Sequence, residues 1–241
     1  MGYLENRVAV VTGASSGIGK AIAVSLAAHG ALLCLAARRL EKLEEVAECV
    51  RPTTSRVKSY RVDLMSDQEV LAFAAGLKQD FGHVDILIHS AGVISMGQLD
   101  NAPVEDFDRQ YKVNVRAPYI LTQALLPMMR SCQGQIVFIN SSVGLNARAG
   151  VGQYAATKHA LKAIADSLRE EVNTDGLRVL SLFLGRTASA MQAAVHEMEH
   201  RAYQSERLMQ PEDVASVVIN ALTLPRTAEV TDISIRPLQK S

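Results

Sequence analysis

Val8-Ala9-Val10-Val11-Thr12-Gly13-Ala14-Ser15-Ser16-Gly17-Ile18-Gly19-Lys20 is the stretch that decides the fold. Four apolar residues in a row read as a strand buried on both faces, and the apolar spacing from Ile18 to Ala28 reads as a helix. Between them lies a glycine-rich turn. Glycines there permit a tight bend and let the backbone come close to a pyrophosphate, so free N–H groups and the helix dipole meet its charge. The same alternation continues outward. Apolar runs at 31–37, 84–88, 136–139 and 177–184, with weaker ones at 57–62 and 230–235, predict further strands. Helical patterns at 40–50, 67–81, 107–129, 153–172 and 211–222 separate them. Strand alternating with helix throughout implies right-handed crossovers. The expected architecture is α/β: a doubly wound, Rossmann-type parallel sheet of about seven strands with helices on both faces. No repeat, low-complexity tract or linker divides it, so residues 1–241 read as a single domain.

Composition narrows the function classes. The 25 Lys plus Arg balance 25 Asp plus Glu, leaving a formal net charge of zero, and 48% of the chain is hydrophobic. A neutral chain has no broad field to hold a polyanion, which argues against nucleic acid as a partner. No apolar run reaches the roughly 18 residues of a membrane span, and no leader pattern opens the chain. Met1-Gly2 begins like a myristoylation signal, but Asn6 stands where Ser or Thr is required. The three cysteines, Cys34, Cys49 and Cys132, fit neither a disulfide framework nor a metal knuckle. A cytoplasmic location, with no membrane partner, is the expectation.

Three motifs point to other chemistries. His196-Glu197-Met198-Glu199-His200 is a literal H-E-x-x-H, which on a helix would present two zinc ligands and a glutamate base; the alternative is a solvated helix. No third ligand is singled out, so no metal site is assigned. Gly13 to Gly17 matches G-x-S-x-G, yet on a first strand nothing upstream supplies a second oxyanion donor. Gly13 to Lys20 resembles a phosphate-binding P-loop, but five residues separate the two glycines and Ala21 replaces the magnesium-binding hydroxyl.

Tyr154-Ala155-Ala156-Thr157-Lys158 is different. A spacing of four puts both side chains on one helix face, and a nearby ammonium lowers the pKa of a phenol toward neutrality. Such a pair can serve as general acid and base. Ser141 lies thirteen residues upstream, just after the run 136–139, with Ser142 as its competitor. Asn114 sits among apolar neighbours inside a predicted helix, an unfavourable place that requires partners.

With these motifs in this order, the chain resembles the short-chain dehydrogenase/reductase family, from about residue 8 to 237. The resemblance implies hydride transfer between a nicotinamide and a carbonyl or secondary alcohol. Tyr154 would then be the general acid and base, Ser141 would orient the substrate oxygen, Lys158 would assist the tyrosine and bind the nicotinamide ribose, and Asn114 would serve a proton relay. The cofactor would touch Gly13, Ser15, Ser16, Gly17, Ile18 and Gly19, with Asp63 and Leu64 near the adenine. Ser90, Ala91 and Gly92 would line it further on, and Thr187 and Ser189 would meet the carboxamide. The end of the second strand is Ala37-Arg38-Arg39. An acidic residue would favour a free ribose hydroxyl there, whereas two arginines suit a 2′-phosphate, so the expected cofactor is NADP(H).

Departures from the family pattern are His89-Ser90 in place of two asparagines, Ser16 in place of a basic residue, and Leu184 in place of a proline. His89 reads as a structural histidine. Leu184 removes a fixed φ, so the following loop is expected to be more mobile. Residues 186–209 are the expected substrate lid, with Met191, Met198 and Met209 as adaptable contacts. Val93, Ile94, Met96, Val143, Leu145, Arg148 and Met191 are the candidate pocket residues. Arg148 reads first as a solvated loop arginine and second as a partner for a substrate carboxylate or phosphate. The partners implied are a small ketone or alcohol and further copies of the chain, in a homodimer or homotetramer. Two alternatives remain, a non-catalytic NADP-binding regulator and a zinc hydrolase built on His196 to His200.

Overall fold

The computed structural model describes residues 4–239, so the Met1-Gly2 pair lies outside it. Seven parallel strands form one sheet in the order β3-β2-β1-β4-β5-β6-β7: β1 is Val8–Thr12, β2 Leu32–Ala37, β3 Val57–Arg61, β4 Ile86–His89, β5 Gln135–Ser141, β6 Arg178–Leu184 and β7 Asp232–Ile235. The helices are α1 (Gly17–Ala28), α2 (Leu40–Val50), α3 (Asp67–Phe81), α4 (Val104–Tyr111), α5 (Ala117–Arg130), α6 (Gly152–Val172), α7 (Ala190–Met198) and α8 (Pro211–Leu222). This is a single Rossmann-like domain. Among the described residues no helix is long and apolar enough to cross a membrane.

Continuous apolar strands serve two cores because successive side chains alternate across the sheet. Ala9, Val11, Leu33, Leu35, Ile86 and Ile88 face a cluster built with Ile22 and Leu26 of α1 and Val214 and Val218 of α8. Val8, Val10, Cys34, Leu87, Ile136 and Phe138 face the opposite cluster, built with Phe73 and Leu77 of α3, Leu121 and Leu125 of α5, and Leu161 and Leu168 of α6. Local signals set the helix ends. The Ser66 hydroxyl accepts from the Glu69 N–H at the start of α3, and Gly82 ends that helix at φ 75°.

The run 107–129, expected as one helix, is three pieces: α4, a π-helical turn over Lys112–Arg116, and α5. Pro118 has no N–H to give the carbonyl of Asn114 four residues earlier, so an unbroken α-helical ladder is impossible here. Helix α7 falls in a stretch where no helix was assigned beyond the His196 to His200 segment.

Sheet order reverses between β1 and β4, and the strands' carboxyl ends open a crevice there. Its floor requires a glycine at position 13. That residue sits at φ 70°, and a Cβ on it would stand 2.8 Å from the Ala91 Cα. Gly19 is as constrained, since a Cβ there would run into the Gly13 carbonyl oxygen. Gly19→Ala is therefore expected to lose about 3 kcal/mol of stability or more, at the upper end of overpacking changes. Gly152→Ala, where nothing lies within 4 Å of the added methyl, is the control and should change stability by less than about 1 kcal/mol. Urea unfolding of the two variants measures the difference.

Candidate active site

One cavity of about 470 Å³ runs along the crevice. It touches every residue expected to bind cofactor: Gly13, Ser15, Ser16, Gly17, Ile18, Gly19, Arg38, Arg39, Asp63, Leu64, Ser90, Ala91, Gly92, Tyr154, Lys158, Thr187 and Ser189. At one end, Gly13 N–H donates to the Ala36 carbonyl at 2.8 Å and fixes the turn after β1. Ser16 caps α1 without a side-chain hydrogen bond, so its hydroxyl does not occupy the N–H groups of the first helical turn. Arg38 and Arg39 are exposed at the end of β2. Of the nearby acids of α2, Glu45 pairs with Lys42 and Glu44 and Glu48 pair with Arg51, while Glu41 in the first turn forms no ion pair among the described residues. Among the described residues neither arginine forms an ion pair. Asp63 closes a turn by accepting from the Met65 N–H at 3.0 Å, so the residue is both a turn former and part of the lining.

Ser141 ends β5, while Tyr154 and Lys158 lie on α6, and all three line the same cavity. Asn140 holds the two elements together. Its Nδ2 donates to the Lys158 carbonyl at 3.1 Å, and its Oδ1 accepts from the Ser141 N–H at 2.7 Å. Gly144 makes the contact possible, because a Cβ there would stand 2.6 Å from the Asn140 Oδ1. Lys158 is buried, and its Nζ donates to the Ile139 carbonyl at 3.0 Å. Burial pushes the Tyr154 phenol up to about 12, with the Ser141 hydroxyl pulling in the other direction. Lys158 is not bonded to it, since its Nζ stands 5.7 Å from the ring centroid and is held by β5. Burial also brings the ammonium down to about 8.

Asn114 does not line the cavity but braces its wall. The side chain accepts from the Val93 N–H and donates to the Val93 carbonyl, both at 2.9 Å, and donates to the Thr157 hydroxyl at 3.1 Å. His89 is buried, bonded to Thr122 at 2.8 Å and stacked on Phe138, and burial lowers its pKa to about 3. It is the structural histidine expected. Thr187 donates to the Gly185 carbonyl, and the Ser189 hydroxyl accepts from the Gln192 N–H as the N-cap of α7. Val93, Ile94, Met96, Val143, Arg148 and Met191 line the cavity as expected, whereas Leu145 is exposed outside it.

The zinc reading of His196 to His200 fails on geometry. Helix α7 stops at Met198, and His200 lies beyond it at φ 53°, so the two imidazoles do not share a helix face. His196 is buried against Tyr203 rather than solvated. Three further residues had no role assigned from sequence. Thr12 ties β1 to the end of β4, donating to the Ile88 carbonyl and accepting from the Ser90 and Ala91 N–H groups. Arg186 holds Glu199, its Nη2 lying 2.8 and 2.7 Å from the two carboxylate oxygens, and both residues line the cavity. Polar residues at the ends of apolar runs were the available signal for Thr12 and Asn140. The Arg186 pair spans thirteen positions and carries no periodic mark.

A family model described as short chain dehydrogenase matches residues 7–200. The chain belongs to the short chain dehydrogenase family. An uncharacterized oxidoreductase of Staphylococcus aureus is 34% identical over 239 residues, covering 99% of this chain and all of that protein. Among solved structures, a metagenomic short-chain oxidoreductase in complex with NADP is 32% identical, with a TM-score of 0.85 over 99% of this chain and 100% of that one. An alcohol dehydrogenase from Thermococcus sibiricus complexed with 5-hydroxy-NADP is 27% identical, with a TM-score of 0.89 over 98% and 99% of the two chains.

Because the folded state holds Lys158 near 8 against an ordinary value of 10.5, it binds fewer protons than the unfolded chain between those values. This group therefore makes stability rise with pH through that window, after a constant penalty below it on the order of 3 kcal/mol. Lys158→Met is expected to match or exceed the native protein in stability at pH 7. Its margin should shrink as pH climbs from 8 to 10.5, as followed by urea unfolding at each pH.

Proposed function

We propose that this short chain dehydrogenase interconverts a carbonyl compound and a secondary alcohol with NADP(H), and that Asn114, Ser141, Tyr154 and Lys158 form its catalytic group. The supporting observation is that Ser141, Tyr154 and Lys158 meet on one wall of a cavity whose far end carries Arg38 and Arg39. That end suits a 2′-phosphorylated dinucleotide. Gly13 leaves room for close approach along the turn, the start of α1 offers N–H groups to a pyrophosphate, and two arginines that form no ion pair among the described residues stand where an acidic residue would repel a phosphate. Gly17, Gly19, Asp63, Leu64, Ser90, Thr187 and Ser189 complete the proposed contacts. NADP(H), when bound, supplies or accepts the hydride.

The residues of the chain manage the oxygen. A phenol held near 12 is protonated at neutral pH and gives its proton to an alkoxide developing beside it. The Ser141 hydroxyl donates to that same oxygen, stabilising charge where it forms. Lys158 keeps a positive charge close to Tyr154, which favours the phenolate left after transfer. Asn114 holds the Val93 backbone with its side chain and reaches α6 through the Thr157 hydroxyl, the placement on which its proposed part in a proton relay rests.

Residues 186–209 form the proposed lid of a unit spanning 1–241. The exposed Val104, Phe107, Tyr111 and Tyr119 on α4 and α5 suit burial in a homodimer or homotetramer. Three free cysteines suit a reducing, cytoplasmic setting.

Tyr154→Phe is expected to lower kcat by about a thousandfold or more while NADPH binding, followed by fluorescence titration, stays within a few-fold. Turnover retained in this variant would overturn the assignment. Arg38→Ala should cut the preference for NADPH over NADH by about 10–100-fold, the worth of one charge-assisted contact, as measured by kcat/KM for the two cofactors.

A further inference from the structure

Three arginines open onto the cavity beyond Ser141: Arg109, Arg148 and Arg186. The carboxylate facing them is Glu199; Asp63, the other lining carboxylate, stands at the β3 side. Arg109 is engaged by Asp106 at 3.1 Å and by the Ser95 hydroxyl at 2.7 Å. Arg148, on the loop between β5 and α6, is exposed and forms no ion pair among the described residues. Arg186 is largely buried, with 18% of its side chain exposed. Both of its bonds to Glu199 come from Nη2, and Nη1 is buried with no partner among the described residues. A buried guanidinium N–H without an acceptor is costly, and the planar fork of arginine is shaped for a carboxylate. The site thus has one arm of a fork filled and one enclosed without an acceptor. Strand register puts Arg186 near the chemistry, because Leu184 pairs with Ser141 and Arg186 follows two residues later. The surrounding walls are apolar, from Val93, Ile94, Val143, Met191 and Val195.

We infer that the substrate is a small oxo or hydroxy acid whose carboxylate is received by Arg186 Nη1, with Arg148 closing on its open side, while its carbonyl meets Ser141 and Tyr154. This rests on the oxidoreductase reading above. In reduction the carbonyl carbon gains a hydride from NADPH, its oxygen gains the Tyr154 proton, and the carboxylate is unchanged. Glu199 keeps Arg186 in place and leaves the net charge of the pair at zero, so Arg148 supplies the charge that matches the substrate.

The test compares acetoacetate and longer oxo acids with their methyl esters in NADPH oxidation. The native protein, Arg148→Gln and the double variant Arg186→Met/Glu199→Gln are assayed. The double change removes both partners and leaves no buried charge uncompensated. The native protein is expected to favour acid over ester by about 30-fold in kcat/KM, and that ratio should fall about tenfold in each variant. Equal turnover of acid and ester by the native protein, or a native ratio in the double variant, would overturn the inference. If neither kind is turned over, the oxidoreductase reading fails on its own and the carboxylate site is read by binding. Lactate should then raise the unfolding temperature of the NADP-bound protein more than lactamide does, and the double variant should lose that difference. Equal shifts from the two compounds would be decisive against it.

Discussion

Position 13 must carry no side chain, because a Cβ there would press into the Ala91 backbone at the end of β4, and the close approach it permits is what opens the site. With β1 and β4 side by side, the connections leaving them diverge to opposite faces, and the gap between becomes the crevice. The Thr12 hydroxyl fixes the gap's width by joining three backbone groups of β4 and its loop. One end of the crevice is therefore a backbone surface suited to phosphate, and the other is bounded by side chains from β5 and α6. The two ends have different tolerances. The first depends on what is absent at 13 and 19, the second on polar atoms held in place.

That holding is expensive in stability. Lys158 is an ammonium inside the protein with one carbonyl for company, and Tyr154 is a phenol that burial keeps neutral. Packing alone would favour apolar residues at both positions. The amides of Asn140 and Asn114 oppose that cost by locking β5 to α6 and the π-helical turn to the Val93 loop, so little reorganisation is required when charge develops on a substrate oxygen. Pro118 contributes in the opposite way, by withholding a hydrogen bond. The helix deforms around it, and the deformation leaves the Asn114 side chain aimed at the Val93 backbone.

Features governed by local chemistry could be read before the fold was known. Helices α2, α3 and α8 begin and end where their apolar spacing predicts, and in the structure Ser66 and Gly82 bound α3 and Pro211 opens α8. The glycine turn, the Arg38-Arg39 pair and the Tyr154 to Lys158 spacing could be read as well, because each chemistry lies within a few residues. What could not be read depended on distance. Asn140 acts on Lys158 across eighteen positions and Arg186 on Glu199 across thirteen, and in neither pair do the two residues share a helix or strand. The π-helical turn was missed for a different reason. Its apolar residues keep helical spacing, and a missing proline N–H does not locate a break by itself, since Pro127 sits inside the unbroken α5. The hold of β5 on Lys158 through the Ile139 carbonyl is likewise beyond reach of a spacing of four along a helix.

Leu184 and the Arg186–Glu199 pair are parts of one solution. A proline at 184 would set the backbone entering residues 186–209; with leucine there, the segment is fixed by its own contacts. Thr187 bridges to Met209 at the far end of the segment, the Ser189 N–H donates to the Tyr203 hydroxyl, and Tyr203 packs on the edge of His196. Arg186 reaches across the loop to the residue that ends α7. A covalent constraint is thus replaced by electrostatic and aromatic ones. On the carboxylate reading, an anion received at Nη1 leaves both Glu199 bonds on Nη2, so the contact that ties the end of α7 to Arg186 does not depend on what the other arm holds.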